Sequence, residues 1–263
     1  MVTTLDWRKK RSGKGDIESA PSTSADIIVY SGMTLKEVVS YFEENRNEGN
    51  LQGMVRFGIN VSKTYGLSIP QLRALAKIIG TDHKLALALY NTGIHEAKVL
   101  ASIIDDPFLV TEVQMENWVK EFNSWDVTDA ATTNLFDRTP FAWKKAKEWT
   151  AREPEYEKRA GFTIMAGLAV HDLFSTDEKF ETLYPFIIKG STDERNFVRK
   201  AVNWALRNIG KRSFRLNKSA IKLSGELLKI KSPSARWIAK DALRELKGEI
   251  AKRRILASVK KRK

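Results

Sequence analysis

The chain has 263 residues, and 42% of them are hydrophobic, which is enough to build a sizeable core. It contains no cysteine, so disulfide scaffolds, thiolate nucleophiles and Cys-ligated metal sites are excluded. Its 45 Lys and Arg residues against 32 Asp and Glu residues leave a formal net charge of +13. This excess predicts a polyanionic partner, with nucleic acid favoured over an acidic membrane surface.

The two ends of the chain differ in composition from the part between them. Residues 1–32 predict a flexible polar tail, since small and polar residues dominate their middle and no apolar signal segment follows the basic start. Residues 252–263 carry seven basic groups and predict a frayed helix end or a flexible basic arm, so we place a basic C-terminal tail at 251–263. With no long apolar run in the chain, we expect a cytoplasmic, nucleoid-associated protein with no membrane partner.

The segment 33–250 carries clear helix-start signals. Thr34 and Glu37 have the spacing of a capping box, and Ser68 with Pro70 opens a helix that Gly80 can close. Further predicted starts are Thr111 with Gln114, Thr139 with Pro140, Thr192 or Asp193, and Ser232 with Pro233. Apolar residues recur every three to four positions between these signals, so the sequence predicts an all-α fold of about twelve helices of roughly 10–18 residues.

Three segments of the second half resemble one another at a spacing near 40 residues. VRKAVNWAL (198–206) and ARWIAKDAL (235–243) align without gaps, with their arginines 37 residues apart. KRAGFTIMAGLA (158–169) is a looser copy, 40 residues before the first. This period is typical of HEAT-like repeats and predicts a right-handed α-solenoid with a concave basic face. The alternative is coincidence among helices rich in Ala and Arg.

Positive charge is concentrated between Arg195 and Gly225, where nine basic residues and no acidic residue occur. On a helix, Lys200, Trp204, Arg207 and Lys211 form a single stripe. Cations suit phosphates and an indole gives a plate for a sugar or base, so the stripe favours nucleic acid. The alternative is a solvated basic face with Trp204 half-buried at its edge.

Motifs of nucleotide binding and of common hydrolases are absent, including GxxxxGK[ST], GxGxxG, GxSxG and HExxH. The three histidines, His83, His95 and His171, lack metal-ligand spacing. We interpret His95 and His171 as helix-end or half-buried residues. We therefore expect no metal and no nucleotide cofactor.

The segment Ser124-Trp125-Asp126-Val127-Thr128-Asp129 combines an indole with two carboxylates. If a helix begins at Ser124 or Asp126, Trp125 and Asp129 lie one turn apart on one face. Asp126 then points elsewhere and serves the helix start. Taken alone, the pattern is most typical of a packed tryptophan and two acids in a first turn.

Three segments together resemble a known family: FNSWDVTD (122–129), KRAGF (158–162) and FVRKAVNWALRNIGKR (197–212). They resemble the AlkD-type DNA alkylation repair glycosylases, a HEAT-like family, and the resemblance runs from about residue 34 to 250. It implies a solenoid that holds duplex DNA containing alkylated bases, acting as a monomer without a cofactor. The implied reaction is hydrolysis of the N-glycosidic bond of cationic N3- and N7-alkylpurines without a base-flipping pocket.

The resemblance also implies roles for individual residues. Trp125 and Asp129 match the family's tryptophan–carboxylate pair, and Trp204 matches its second lesion-facing tryptophan. Arg159 and Arg207 would contact the phosphates that flank the lesion. The remaining residues that we expect to bind DNA are Arg199, Lys200, Lys211 and Arg212.

The chemistry of the reaction is consistent with these roles. Departure of the base leaves cationic character on the sugar, as in glycoside hydrolysis. The Asp129 carboxylate can favour that cation and orient water, and an indole face attracts cations by roughly 0.5–2 kcal/mol. Two other functions stay open: a non-catalytic protein that binds DNA structures, and a protein-interaction scaffold. The run from Arg195 to Gly225 argues against a protein-interaction scaffold, because a protein that binds a surface without acidic residues would itself have to be very acidic.

Overall fold

The computed structural model describes residues 32–262, so all but the last residue of the predicted N-terminal tail lies outside the described residues. Every regular element in this range is helical, with no strand, which confirms the predicted all-α fold. The helices are α1 (Leu35–Glu44), α2 (Glu48–Arg56), α3 (Ile69–Ile79), α4 (His83–Asn91), α5 (His95–Ile104), α6 (Glu112–Lys120), α7 (Trp125–Asn134), α8 (Ala142–Glu148), α9 (Glu155–His171), α10 (Asp177–Glu181), α11 (Tyr184–Gly190), α12 (Asn196–Gly210), α13 (Phe214–Leu227), α14 (Pro233–Leu246) and α15 (Glu249–Lys261). Short 3₁₀ turns follow α7 and α8 at Phe136–Arg138 and Trp149–Ala151.

Several helices begin at the predicted capping residues. The Thr34 hydroxyl accepts from the Glu37 N–H at 3.3 Å, and the Glu37 carboxylate accepts from the Thr34 N–H at 2.8 Å. Ser68 forms the same reciprocal box with Gln71, and the Ser232 hydroxyl accepts from the Ala235 N–H at 3.2 Å. These bonds satisfy N–H groups that a first turn leaves without partners.

Two predicted starts were wrong. The helix expected from Thr139 begins at Ala142, because the Thr139 hydroxyl donates to the Phe136 carbonyl of the preceding 3₁₀ turn. The helix expected from Asp193 begins at Asn196, because the Asp193 carboxylate binds the side chain and backbone N–H of Arg195 instead of capping.

One layer of helices carries the residues that we expect to act on DNA, except Lys211 and Arg212, which directly follow α12. In this layer α3, α5, α7, α9, α12 and α14 each pack against the next, and α4, α8 and α13 pack behind α5, α9 and α12. The three predicted repeat segments lie in α9, α12 and α14, which are consecutive members of this layer. The segments that resemble one another in sequence therefore also occupy successive positions in the packed layer.

Successive turns of α12 and α14 make contacts at a constant separation of 38 residues. A hydrogen bond of 2.7 Å links Asn203 to Asp241. One turn earlier, Arg199 makes a cation–π contact with Trp237. One turn later, Arg207 forms an ion pair with Glu245. The constant separation indicates that the two helices pack in register.

Helix α9 forms the centre of the core, and its residues from Arg159 to Ala169 are all buried. A Cβ atom on Gly161 would lie 2.7 Å from the Thr150 backbone nitrogen. Only glycine allows so close an approach to the 3₁₀ turn behind α9. The glycine of the KRAGF segment therefore has a packing role.

The predicted C-terminal tail at 251–263 was wrong for the residues that the structure describes. Helix α15 begins at Glu249, before the expected boundary, and it buries Ala251 and Ile255 completely or nearly so. Arg262 forms an ion pair with Asp177 at 3.5 Å. Apolar burial thus fixes α15 on the body of the protein despite its many charges. No helix in the range 32–262 has both the length and the hydropathy to cross a bilayer.

Candidate active site

A cleft of about 540 Å³ opens between α7 and the helices near the start of the chain. Trp125, Asp126 and Asp129 of α7 and His95 of α5 line its polar side. Its apolar side includes Met54, Phe57, Ile59, Leu67, Ile69, Leu72, Val99 and Ile103. Helix α7 therefore presents both predicted site residues of the SWDVTD segment to one cavity.

Trp125 lies half-buried at the first position of α7, where its indole is held by a hydrogen bond. The indole N–H donates to the Phe57 carbonyl at 3.0 Å, beyond the end of α2. This bond reaches across 68 residues of sequence, so no local pattern predicts it. It fixes the orientation of the indole at the cleft.

Asp129 and Arg159 form a bidentate ion pair between α7 and α9. Arg159 Nε lies 2.9 Å from Asp129 Oδ1, and Arg159 Nη2 lies 2.7 Å from Asp129 Oδ2. The third guanidinium nitrogen, Nη1, donates to the Phe197 carbonyl at 2.5 Å. Arg159 is only 5% exposed, so the prediction that it contacts phosphate is wrong for this conformation. The structure gives it the role of holding Asp129.

The ionisation of Asp129 is controlled by two opposing effects. Burial raises the pKa of Asp129 above its usual value, and the charge and hydrogen bonds of Arg159 oppose that rise. The side chain keeps 18% of its surface exposed, toward the cleft that it lines. Each carboxylate oxygen has a second lone pair, so Asp129 can still accept from a water molecule.

Asp126 lines the same cleft as Asp129, so the prediction that it points elsewhere was wrong. Its Oδ2 lies 2.9 Å from His95 Nε2, and its Oδ1 accepts from the Ser124 hydroxyl at 2.7 Å. Burial works to raise the pKa of Asp126, but His95 and Ser124 outweigh it and hold that pKa below its usual value. Sequence reasoning missed this pair because its members lie on different helices without a shared motif.

The expected position of His95 at a helix end is confirmed, since it begins α5 and is buried. His171 ends α9, where its Nδ1 lies 2.5 Å from Asp137 Oδ2. Among residues 32–262, no three His, Asp or Glu side chains are grouped so that they could hold a metal ion.

Trp204 lies half-buried on α12 and is not part of the cleft lining. Helix α9 packs against both α7 and α12, and Arg159 on α9 binds Asp129 of α7 and the Phe197 carbonyl of α12. Lys200, one turn before Trp204, is exposed and makes no ion pair within the described part of the chain. It is the cation of the stripe that is most available to an anion.

The other cations of the stripe have acidic neighbours on α14. Glu245 binds both Arg207 and Lys211, and Arg207 also lies 3.6 Å from Asp241. Burial lowers the pKa of Lys211, and Glu245 opposes that effect. The run from Arg195 to Gly225 contains no acid, yet the fold supplies acids from the next repeat. A phosphate at Arg207 or Lys211 must therefore compete with Glu245.

Two further arginines that we expected to bind DNA have protein partners. The Arg199 guanidinium lies 5.1 Å from the centre of the Trp237 ring, and Trp237 is itself exposed. Arg212 is 1% exposed, and it donates to the Ser175 carbonyl at 2.8 Å. Burial lowers the pKa of Arg212 to about 10, assisted by nearby Arg262. The prediction that Arg212 binds DNA is therefore wrong for this conformation.

Comparisons with known proteins agree with the fold. Residues 38–246 match the family described as DNA alkylation repair enzyme. A search of curated proteins found no match. One similar solved structure is described as a new family of proteins related to the HEAT-like repeat DNA glycosylases with affinity for branched DNA structures. It has a TM-score of 0.69 and 20% identity, over 81% of this chain and 96% of that chain. The chain therefore belongs to the DNA alkylation repair enzyme family, and its fold is that of the HEAT-like repeat DNA glycosylases.

Proposed function

We propose that the protein is a monofunctional alkylpurine-DNA glycosylase. It hydrolyses the N-glycosidic bond of cationic N3- and N7-alkylated purines in duplex DNA, without a base-flipping pocket. The observation that carries this proposal is the placement of Trp125 and the partly exposed Asp129 carboxylate in one cleft, with Arg159 behind the carboxylate.

The reaction needs a group that favours a cation more in the transition state than in the ground state. The alkylated base carries positive charge before it leaves, and the sugar gains that charge as the bond to the base breaks. Asp129 supplies negative charge whose position Arg159 has already fixed, so little reorganisation is needed during the reaction. An accepted hydrogen bond from water also orients that water toward the sugar.

The indoles act on the same charge. The face of Trp125 attracts a cationic base or sugar by roughly 0.5–2 kcal/mol, depending on desolvation. Trp204 provides a second apolar surface along the bound strand, next to exposed Lys200. Lys200 and Arg207 hold phosphates, which positions the duplex without reading its sequence.

A second candidate function is binding of a DNA structure without excision. Arg159 already binds both oxygens of Asp129, and this arrangement suits a purely structural ion pair as well as a catalytic one. The similar solved structure comes from proteins with affinity for branched DNA. On this reading the cleft would hold an unpaired or bent strand.

One assay separates the two functions. Release of 7-methylguanine from methylated duplex DNA is measured beside affinity for four-way-branched and linear unmodified DNA of equal length. Base release above the rate without protein supports the glycosylase. No release, together with tighter binding of branched than linear DNA, would reject it in favour of the binding function.

A further inference from the structure

Helix α15 carries a strong positive charge that the family match does not cover. The match ends at residue 246, and α15 begins at Glu249. Ala251 and Ile255 hold the helix on the body of the protein, while its basic side chains remain exposed. Those exposed cations are Lys252, Arg253, Arg254, Lys260 and Lys261.

Most of these cations lack an acidic partner. Lys252 pairs with Glu249 at 2.6 Å on the same helix. Arg253, Arg254, Lys260 and Lys261 make no ion pair within residues 32–262. Like charges held close together without counterions repel one another, and a bound anion relieves that repulsion.

The cations Arg254 and Lys261 border a cleft of about 250 Å³ that α15 forms with the ends of α9 and α12. Lys211, which is paired with Glu245, is the third cation of the lining, and no acidic side chain lines this cleft. Val170 and Leu173 supply an apolar wall. Arg254 lies close enough to Lys211 that its charge contributes to the lowered pKa of that lysine.

The cleft continues the basic stripe of α12. Lys211 is the last residue of the stripe Lys200–Trp204–Arg207–Lys211 and also part of the cleft lining. A strand held along the stripe would therefore reach Arg254 and Lys261 next. These two residues are seven apart, which places them on one face of α15 about 10 Å from each other. That separation is comparable with the width of about 12 Å of a DNA major groove.

We propose that Arg254 and Lys261 of α15, with Lys211, form a second DNA contact that holds backbone phosphates of the duplex next to the segment bound along α12. This contact rests on the proposed function only in taking DNA as the partner. This contact does not depend on base identity or on base damage, because its guanidinium and ammonium groups bind only backbone phosphates. It lengthens the DNA footprint beyond the matched domain.

The test is the salt dependence of duplex affinity for the double variant Arg254→Gln/Lys261→Gln in the full chain. Each phosphate contact contributes a slope of about −0.9 to log K against log salt. The variant should therefore have a slope less negative than wild type by about 1.8, equally on methylated and unmodified duplex. The charge-keeping variant Arg254→Lys/Lys261→Arg should keep the wild-type slope.

A matched control removes two exposed cations from α13, in Lys218→Gln/Lys222→Gln, and should leave the slope unchanged. Thermal unfolding should be the same for both double variants, because neither touches Ala251 or Ile255. An unchanged slope in the α15 variant overturns the proposal. So does a loss confined to binding of vesicles rich in phosphatidylserine, which would identify a membrane contact.

The outcome is separable from that of the proposed function. Wild type that binds duplex but releases no base rejects the glycosylase, while a reduced slope in the α15 variant still supports this contact. Wild type that excises base, with an α15 variant of unaltered slope, rejects only this contact. Wild type that does not bind DNA rejects both.

Discussion

Arg159 binds both carboxylate oxygens of Asp129, at 2.9 Å and 2.7 Å, from a position that is almost closed to solvent. The same bidentate geometry recurs between Arg195 and Asp193, at 2.9 Å and 2.6 Å, where the arginine side chain is 35% exposed. The two pairs share their chemistry and differ in burial and in access to the cleft. They therefore allow matched experiments.

Removal of the buried Arg159 side chain should markedly lower the free energy of unfolding. Arg159→Met leaves the Asp129 carboxylate buried without its partner, and breaking a buried pair in this way costs about 3–5 kcal/mol. Arg195→Met breaks the more exposed pair and should cost about 1 kcal/mol or less. Urea denaturation gives both values. Equal small losses would contradict a buried role for Arg159.

The two site tryptophans should matter less for stability than a core tryptophan. Trp149 is fully buried, so Trp149→Ala should lower the free energy of unfolding by about 3–5 kcal/mol. Trp125 and Trp204 are half-buried, so Trp125→Ala and Trp204→Ala should each cost clearly less while reducing base release. Losses as large as that of Trp149→Ala would identify them as core residues.

Glu245 should weaken DNA binding by occupying two cations of the stripe. Glu245→Gln removes the charge that binds Arg207 and Lys211, so affinity for duplex DNA should rise and its salt slope should become steeper. Glu226→Gln, at an exposed acid on α13, changes the net charge equally and serves as the control. Equal gains in both variants would mean that only net charge matters. Lys200→Gln should lose one phosphate contact and make the slope of log K against log salt less negative by about 0.9.

A carboxylate far from the cleft should produce a pH dependence of stability. Burial works to raise the pKa of Glu116, but Arg152, Lys145 and Trp149 donate to it and lower that pKa from 4.5 to about 2. A carboxyl with a lowered pKa stabilises the fold above its unfolded-state pKa, and this contribution is lost as pH falls. Stability should therefore decline between pH 4.5 and about 2. Urea midpoints across this window should vary less in Glu116→Gln than in wild type.

Local signals account for what the sequence predicts correctly. The Thr34, Ser68 and Ser232 caps involve neighbours three residues apart, and the repeat of α9, α12 and α14 follows from the Arg and Ala positions that their segments share. The placement of Trp125 and Asp129 one turn apart also follows from helix geometry alone. These features need no knowledge of tertiary contacts.

Pairs between helices could not be predicted in this way. The Asp129–Arg159 and Asp126–His95 pairs each join residues about 30 positions apart, without a motif that links them. Arg212 belongs to a basic run that is typical of a DNA-binding surface, yet its packing on Phe180 buries it. In a solenoid each repeat packs against the next, so composition alone does not show whether a basic residue lies between two repeats or on the exposed surface.

The role of the Asp129 carboxylate in base excision is tested by single-turnover release of 7-methylguanine from duplex DNA by Asp129→Asn. Asn keeps the size and one acceptor, so DNA affinity should survive, and Asp193→Asn alters the matched pair outside the cleft. We predict that the rate falls by about 100-fold in Asp129→Asn, equivalent to about 3 kcal/mol, and stays near wild type in Asp193→Asn. Equal rates for Asp129→Asn and wild type would contradict a catalytic role of Asp129 and leave the ion pair with a structural role alone.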